Sequence, residues 1–95
     1  MSLPKIALVT GGSKGIGAAI VRRLSTDGFA VAVNYSKNPA PADDLVTELK
    51  DAGYTALAVC CDVANSDAVS QMFDTIESEL GSVNVLINNA GIMKN

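Results

Sequence analysis

Four short apolar runs recur along the chain, and each of the first three is followed by a turn and a stretch with helical spacing. The runs are rich in small and β-branched residues and span residues 6–9, 29–33, 56–61 and 83–87, the last of which contains Asn84. Continuous rather than alternating apolarity is typical of parallel strands that are covered on both faces. The pattern therefore predicts four buried parallel strands.

Three stretches between these runs carry apolar side chains at the spacing of an amphipathic helix. Their apolar stripes are Ile16, Ile20 and Leu24 in the first, Leu45, Val46 and Leu49 in the second, and Val69, Met72, Phe73, Ile76 and Leu80 in the third. Gly28, Gly53 and Gly81 follow the three stretches. Glycine after a helix adopts a left-handed conformation that satisfies the last helical carbonyls, so these positions predict three helix ends.

The alternation of these elements, β-α-β-α-β-α-β, predicts an α/β fold with a Rossmann-like, doubly wound parallel sheet. Right-handed crossovers place the first two helices on one face and the third helix on the other, with strand order 3-2-1-4. The last strand then keeps one unpaired edge, and such an edge promotes association with another chain. We interpret residues 1–95 as one domain that forms the first part of a longer α/β domain. The alternative is that a partner completes the sheet.

Composition and charge argue against several classes of protein. The 95 residues are 48% hydrophobic and carry a formal net charge of −3. No block of about five like charges occurs, which argues against a nucleic-acid-binding or polybasic membrane surface. The apolar runs fall far short of the ~18 residues that a membrane-spanning helix needs, and no secretory signal is predicted.

Cysteine and histidine usage points to a reducing compartment and to a chain without a metal site. Cys60 and Cys61 are adjacent, so on a strand they point to opposite faces. We expect both to be buried free thiols, which fits the cytoplasm. Histidine does not occur, and no metal-ligand spacing is found, so the commonest metal ligand and general base is missing.

A glycine-rich turn reading T-G-G-S-K-G-I-G joins the first strand to the first helix at residues 10–17. The N–H groups and dipole at a helix N-terminus provide a site for the diphosphate of a dinucleotide. Gly11 suits the opening of the turn, Gly15 the approach of the backbone to the phosphates, and Gly17 the packing of helix on strand. The spacing differs from G-x-G-x-x-G and from the G-x-x-x-x-G-K-[ST] of triphosphate-binding loops. By itself the turn is also compatible with a merely tight connection.

The turn resembles the motif T-G-x-x-x-G-[IL]-G of the short-chain dehydrogenase/reductase family. Residues 88–91 match the N-N-A-G motif of that family at the end of the fourth strand, and Asp62 matches its Asp after the third strand. The resemblance covers residues 5–95. Residues 31–35 together with Lys14 resemble the ketoacyl reductase and sugar dehydrogenase branches.

The resemblance implies the dinucleotide-binding Rossmann domain of a homo-oligomeric enzyme that transfers a hydride between nicotinamide and a small carbonyl or alcohol substrate. It implies that Asn88 steadies the central sheet and that the residues after it line the nicotinamide ribose. It also implies an adenine contact for Asp62, for which a helix-capping or turn role is the alternative. The predicted cofactor-binding residues are Gly11, Ser13, Lys14, Gly15, Ile16, Gly17, Tyr35, Ser36, Lys37, Asp62, Val63, Asn89, Ala90 and Gly91.

The catalytic residues of the family are not among these positions. Its Ser and its Tyr-x-x-x-Lys lie well beyond N-N-A-G, whereas four residues follow Gly91 here. Pro39 and Ala58 stand four places after Tyr35 and Tyr54, where the motif requires lysine. No catalytic residue is therefore predicted within these 95 residues.

The end of the second strand carries the signal for the type of dinucleotide. Residues 34–37 read N-Y-S-K, without the acidic residue that binds the ribose hydroxyls of NAD(H). Lys14 on one side, with Ser36 and Lys37 on the other, suits a 2′-phosphate, and the resemblance associates a basic residue at the position of Lys14 with NADP(H). NADP(H) is favoured, and NAD(H) stays possible. Taken singly, each lysine is better explained as a solvated surface charge.

Two other classes of protein use related motifs. A non-catalytic dinucleotide-binding or sensor protein would carry the same motifs without turnover. Sugar-nucleotide epimerases and dehydratases are disfavoured because they resemble G-x-x-G-x-x-G, which the spacing of this turn does not match.

Overall fold

Parallel strands and helices alternate along residues 5–89, the part of the chain that this computed structural model describes. The strands are β1 (Ile6–Val9), β2 (Ala30–Tyr35), β3 (Ala56–Cys60) and β4 (Val85–Ile87), and the helices are α1 (Gly15–Thr26), α2 (Pro39–Asp51) and α3 (Ser66–Glu79). The strands form one sheet with the order β3-β2-β1-β4. This order confirms the predicted doubly wound sheet.

The register of the sheet brings the loops after β1, β2 and β4 to one edge. Val9, the last residue of β1, lies opposite Val33 of β2 and Ile87 of β4. The N–H of Thr10 then donates to the carbonyl of Ile87 at 3.0 Å, which extends the pairing into the turn. Ligands of open α/β sheets bind at this edge, outside the carboxyl ends of the strands.

The helices cover the sheet on two faces, as the right-handed crossovers predict. The core between the sheet and the first two helices includes Val9, Val21, Val31, Val33, Leu45 and Leu49. The core on the face of α3 includes Leu8, Ala32, Val59, Met72 and Ile76. The predicted stripes of α2 and α3 thus supply buried side chains to opposite faces.

The predicted stripe of α1 is confirmed in part, because Ile20 and Leu24 pack against the core whereas Ile16 does not. Ile16, its first member, is 58% exposed, and the buried line of the helix instead contains Gly17, Ala18, Val21 and Ser25. Gly17 lies so close to the preceding turn that no side chain fits there. The helix therefore approaches the sheet through its small residues, and its larger apolar residues lie at the flank.

Two further expectations differ in outcome. The glycines after the three helices all have positive φ, which confirms the predicted helix ends; they are Gly28, Gly53 and Gly81. The expectation that both cysteines are buried is wrong, because Cys60 is exposed and only Cys61 is buried. Cys60 is the last residue of an outer strand, whereas Cys61 turns into the core under α3. Burial, followed by the nearby Asp62 and Cys60, raises the pKa of the Cys61 thiol.

A bidentate ion pair holds α1 and α2 together on their outer side. The Nε of Arg22 donates to Oε2 of Glu48 at 2.8 Å, and Nη2 donates to Oε1 at 3.1 Å. The hydrogen bond from Arg22 lowers the pKa of Glu48. Both side chains are half exposed, so the pair orients the two helices and adds little to the free energy of unfolding.

An apolar surface on the α3 side leads to a prediction about association. Within residues 5–89, β4 pairs with β1 alone. Leu86 of β4 is 52% exposed and lines a cavity of about 390 Å³ with Val63 and Phe73. Because unpaired edges and exposed apolar patches associate, we expect the purified 95-residue chain to form concentration-dependent oligomers in sedimentation experiments.

Leu86→Gln should shift this equilibrium toward the monomer, since it removes apolar area from the surface. Ala19→Gln, on the exposed side of α1, serves as the control and should leave the equilibrium unchanged. A wild-type chain that stays monomeric at high concentration and unfolds cooperatively would contradict the expectation.

Candidate functional site

The glycine turn after β1 is held from both neighbouring strands. The N–H of Gly11 donates to Oδ1 of Asn34 at 3.1 Å, and the N–H of Gly12 donates to the backbone carbonyl of Asn34 at 3.0 Å. From the side of β4, Nδ2 of Asn89 donates to the carbonyl of Gly11 at 3.0 Å. Gly11 itself has φ +61°, a conformation that other residues rarely adopt. The start of the turn is therefore fixed, and its first N–H groups are occupied.

The following N–H groups are available to an anion. The N–H of Ala18 makes the first bond of α1, to the carbonyl of Lys14 at 3.2 Å, so the N–H groups of Gly15, Ile16 and Gly17 precede it and have no carbonyl partner within the helix. The Lys14 side chain does not cap the helix, and no acidic residue occupies its first turn. The positive end of the helix dipole thus lies at an unneutralised N-terminus.

Gly17, for which the sequence predicts packing of helix on strand, lies where α1 packs tightly against the turn. A Cβ atom at this position would overlap the carbonyl oxygen of Gly11 and lie 2.7 Å from Nδ2 of Asn89 and 2.9 Å from Cα of Gly12. Two of these neighbours are backbone atoms of the turn, which cannot rotate away. The absence of a side chain is what allows α1 to rest against the turn and Asn89.

The predicted 2′-phosphate residues come together around one cavity of about 230 Å³. We call this cavity the lysine corner; its lining residues are Ser13, Lys14, Tyr35, Ser36, Lys37, Asn38 and Pro41. Both lysines are exposed, and neither forms an ion pair with any described residue. The corner therefore presents two lysines that form no ion pair within residues 5–89, and the carboxylate of Asp43 lies near its Tyr35.

Helix α2 begins beside the lysine corner but offers it few backbone donors. Asn38 caps the helix by accepting the N–H of Ala40 at 3.1 Å, and Pro39 and Pro41 have no N–H. An anion in the corner is consequently bound by side chains rather than by the start of α2. Lys14 and Lys37 supply charge there, and Ser13 and Ser36 supply hydroxyl groups.

Tyr35 closes the corner as a neutral group. Its partial burial, and then the proximity of Cys60 and Asp43, raise the pKa of the phenol. The phenol therefore stays protonated at neutral pH and does not repel an anion. Cys60 contacts Ser36, the residue that follows Tyr35, and its Sγ lies 3.6 Å from the Ser36 carbonyl oxygen.

Asp62 and Val63 follow β3 at the same edge of the sheet. Oδ1 of Asp62 accepts the N–H of Ala64 at 3.0 Å, so the carboxylate stabilises a turn. This is the alternative role that the sequence left open, and the exposed side chain remains accessible to a ligand. Val63 is exposed and lines the apolar cavity on the α3 side with Thr10 and Asn88.

The two asparagines after β4 have different surroundings. The exposed Asn88 accepts a hydrogen bond from the Thr10 hydroxyl at 3.2 Å, which ties the ends of β1 and β4 together. Asn89 is 2% exposed and lies beneath the turn, and its Oδ1 has no partner among residues 5–89. Asn89 is tied to the turn by the hydrogen bond from its Nδ2 to the carbonyl of Gly11. The predicted positions Ala90 and Gly91 lie outside the described residues.

Asn34 is a site residue that the sequence analysis does not identify. Its side chain is 2% exposed and holds the turn through Gly11. The signal was present in the alternation of β2, because Ala30 and Ala32 point to the buried face under α3 and Asn34 continues that series. An amide at such a position needs hydrogen-bond partners inside the protein.

The described residues hold neither a metal cluster nor a membrane-spanning helix. Along residues 5–89, no group of three or more His, Cys, Asp or Glu side chains is suited to a metal ion. No helix in the same range is long and apolar enough to cross a bilayer. What the edge of the sheet presents is a row of free N–H groups, a positively charged corner and an exposed aliphatic side chain, Ile16.

Comparisons of the whole chain with known proteins agree on one family. The family model for short chain dehydrogenases matches residues 5–95. The 3-oxoacyl-[acyl-carrier-protein] reductase FabG of Staphylococcus epidermidis is 46% identical over 90 residues, which cover 95% of this chain and 37% of the reductase. The chain thus spans little more than a third of that relative.

Solved structures give the same result. A short-chain dehydrogenase/reductase from Serratia marcescens superposes with a TM-score of 0.86 at 39% identity, covering 92% of this chain and 36% of that one. A blue fluorescent protein from a metagenomic library, solved in complex with NADPH, gives a TM-score of 0.83 at 44% identity over 88% of this chain and 35% of its own. The chain therefore belongs to the short chain dehydrogenase family.

Proposed function

We propose that the chain is the NADP(H)-binding part of an oxidoreductase that transfers a hydride between nicotinamide and a carbonyl or alcohol substrate. The observation that carries the proposal is the pairing of a free helix N-terminus with the lysine corner. Each is suited to an anion, and Lys14, the N-cap residue of α1, also lines the corner. A dinucleotide with a 2′-phosphate has anionic groups for both.

The diphosphate belongs at the start of α1. The N–H groups of Gly15, Ile16 and Gly17 and the helix dipole favour negative charge there. Hydrogen bonds that fix Gly11 and Gly12 keep this surface in place before the ligand arrives. Such a preformed site binds without the entropic cost of ordering a loop.

The 2′-phosphate belongs in the lysine corner. Lys14 and Lys37 both line the opening, and neither forms an ion pair among the described residues. Within residues 34–37 no carboxylate is present to bind the ribose hydroxyls of NAD(H). The NADPH complex of the metagenomic relative supports the same choice.

The remaining contacts follow from the edge of the sheet. Asp62 lies after β3, where its carboxylate can accept a hydrogen bond from the adenine amine. The exposed side chain of Ile16 provides apolar surface near the diphosphate. Bound NADP(H) would supply the hydride chemistry, and residues 5–89 bind and orient it.

The groups that transfer the proton are not in this sequence. It contains no Tyr-x-x-x-Lys, since Pro39 and Ala58 stand four places after Tyr35 and Tyr54. In the proposal these groups, the substrate pocket and the homo-oligomeric contacts belong to a longer polypeptide. The free cysteines fit the cytoplasm as its location.

A second candidate function is a dinucleotide-binding or sensor protein without catalysis. It would use the same glycine turn and the same lysine corner. The two functions differ in whether the complete gene product turns over carbonyl compounds and alcohols, and they share the same cofactor site.

Calorimetric titration of the purified chain with NADPH and NADH tests the cofactor site. We expect NADPH to bind at least tenfold more tightly than NADH, because a charge-assisted contact to the 2′-phosphate adds about 1.5 to 3 kcal/mol. No carbonyl reduction by the 95-residue chain is expected. A folded chain that binds neither cofactor, or one that reduces a ketone, would contradict the proposal.

A further inference from the structure

Asn34 joins two parts of the sheet edge that a dinucleotide must reach at once. At one end of its buried amide, Oδ1 accepts the N–H of Gly11 at 3.1 Å. At the other end, Nδ2 donates toward the carbonyls of Cys61 at 3.2 Å and Val59 at 3.4 Å. Nδ2 also lies 3.3 Å from the carbonyl of Tyr35 and 3.7 Å from Sδ of Met72.

These contacts connect the glycine turn with the end of β3. The backbone carbonyl of Asn34 adds a second bond to the turn, from the N–H of Gly12 at 3.0 Å. The N–H of Cys61 donates to the carbonyl of Tyr35 at 2.9 Å, so the two strand ends are also tied to each other. Asp62 comes directly after Cys61. A displacement of the Asn34 amide would therefore move the turn relative to Asp62.

We infer that Asn34 is a positioning residue that sets the separation between the diphosphate site and the adenosine site. The inference rests on the proposed function, because it assumes one ligand that occupies both sites. Such a ligand gains from both only when their spacing is fixed in advance. Asn34 is too deeply buried to touch the ligand, so it acts through Gly11 and Cys61.

Asparagine is required here because both ends of the amide are used. An ionised carboxylate accepts hydrogen bonds but donates none, and an aliphatic side chain does neither. A protonated carboxylic acid, in contrast, has one acceptor oxygen and one O–H donor. Aspartate at this position therefore reproduces the asparagine contacts only in its protonated form.

The substitution Asn34→Asp should make the affinity for NADPH depend on pH. Burial and the facing carbonyls of Val59 and Cys61 favour the neutral acid and so raise its pKa. We expect the variant to bind NADPH about tenfold or more weakly than wild type at about pH 9 and to approach wild-type affinity toward about pH 5. The measured quantity is the ratio of variant to wild-type Kd at each pH. The ionisable side chains that neighbour residue 34 are Tyr35, Cys60, Cys61 and Asp62, and both proteins contain them. The ratio therefore removes the pH dependence that is common to the two proteins.

Asn34→Leu is the matched control, since it has a similar shape and cannot titrate. Its Kd ratio should stay high at every pH. The inference is overturned if the ratio for Asn34→Asp is independent of pH or close to one at high pH. Failure of the wild type to bind NADPH would refute the proposed function instead, so the two failures are distinguishable.

Asn34→Ser provides a second test, which does not depend on whether the aspartate variant folds. Its small hydroxyl side chain leaves room for water, so the fold should persist. NADPH spans both sites, whereas adenosine 2′-monophosphate occupies only the adenosine side. We expect the substitution to weaken NADPH binding about tenfold and adenosine 2′-monophosphate binding by about threefold or less. Equal weakening of both ligands would show a merely structural role and overturn the inference.

Discussion

Gly17→Ala is expected to weaken NADPH binding strongly and to destabilise the domain. The added methyl group would overlap the carbonyl of Gly11 and press on Nδ2 of Asn89, and backbone atoms of the turn cannot yield to it. Overpacking of this kind raises the energy of the folded state by about 1 to 3 kcal/mol or more. Because the displaced atoms carry the anion site, affinity for NADPH should fall about a hundredfold, which corresponds to roughly 3 kcal/mol.

Gly15→Ala is the control for this effect, because a Cβ there meets no atom within 4 Å. Its φ of +56° makes alanine strained by about 1 to 2 kcal/mol, without any overlap. Urea unfolding should therefore rank Gly17→Ala below Gly15→Ala in stability. The opposite order would show that α1 does not depend on its close approach to the turn.

The sequence predicts some parts of the fold and not others, and the packing of α1 through Gly17 is among those that it does not predict. Strand β1 was predicted with its observed bounds because its four residues are all apolar and all buried. The residues through which α1 is buried are not predicted in full, because hydrophobic periodicity gives weight to large side chains such as Ile16. The helix is in fact packed through Gly17 and Ala18, whose small size matters only once the turn is in place.

The candidate site likewise has one part that the sequence predicts and one part that it does not. The turn and the lysine corner were predicted because their residues come from short segments whose types already indicate an anion. The sequence does not predict the hydrogen bonds that Asn34 and Asn89 make to Gly11, because these residues are 23 and 78 positions away from Gly11 in the chain. A hydrogen bond over such a separation has no local pattern. The register of the parallel sheet brings the two amides to the same residue, Gly11.

The double substitution Tyr35→Asp with Lys14→Ala should shift the cofactor preference toward NADH. The aspartate supplies the carboxylate that binds the ribose hydroxyls of NADH and repels a 2′-phosphate, and the alanine removes one of the two positive charges of the lysine corner. The ratio of the Kd values for NADPH and NADH should change by tenfold or more, equivalent to about 1.4 kcal/mol.

Lys50→Asp separates this local effect from a change of overall charge. Lys50 is exposed in the last turn of α2, at the opposite end of the helix from the corner, and its replacement by aspartate lowers the net charge by the same amount as the double substitution. The control should leave the ratio of Kd values unchanged. A salt series adds an independent measurement, because charge pairing with the 2′-phosphate makes NADPH binding weaken faster with ionic strength than NADH binding does. If the double variant keeps the wild-type ratio and salt dependence, Lys14 is a solvated surface charge and the 2′-phosphate is bound elsewhere.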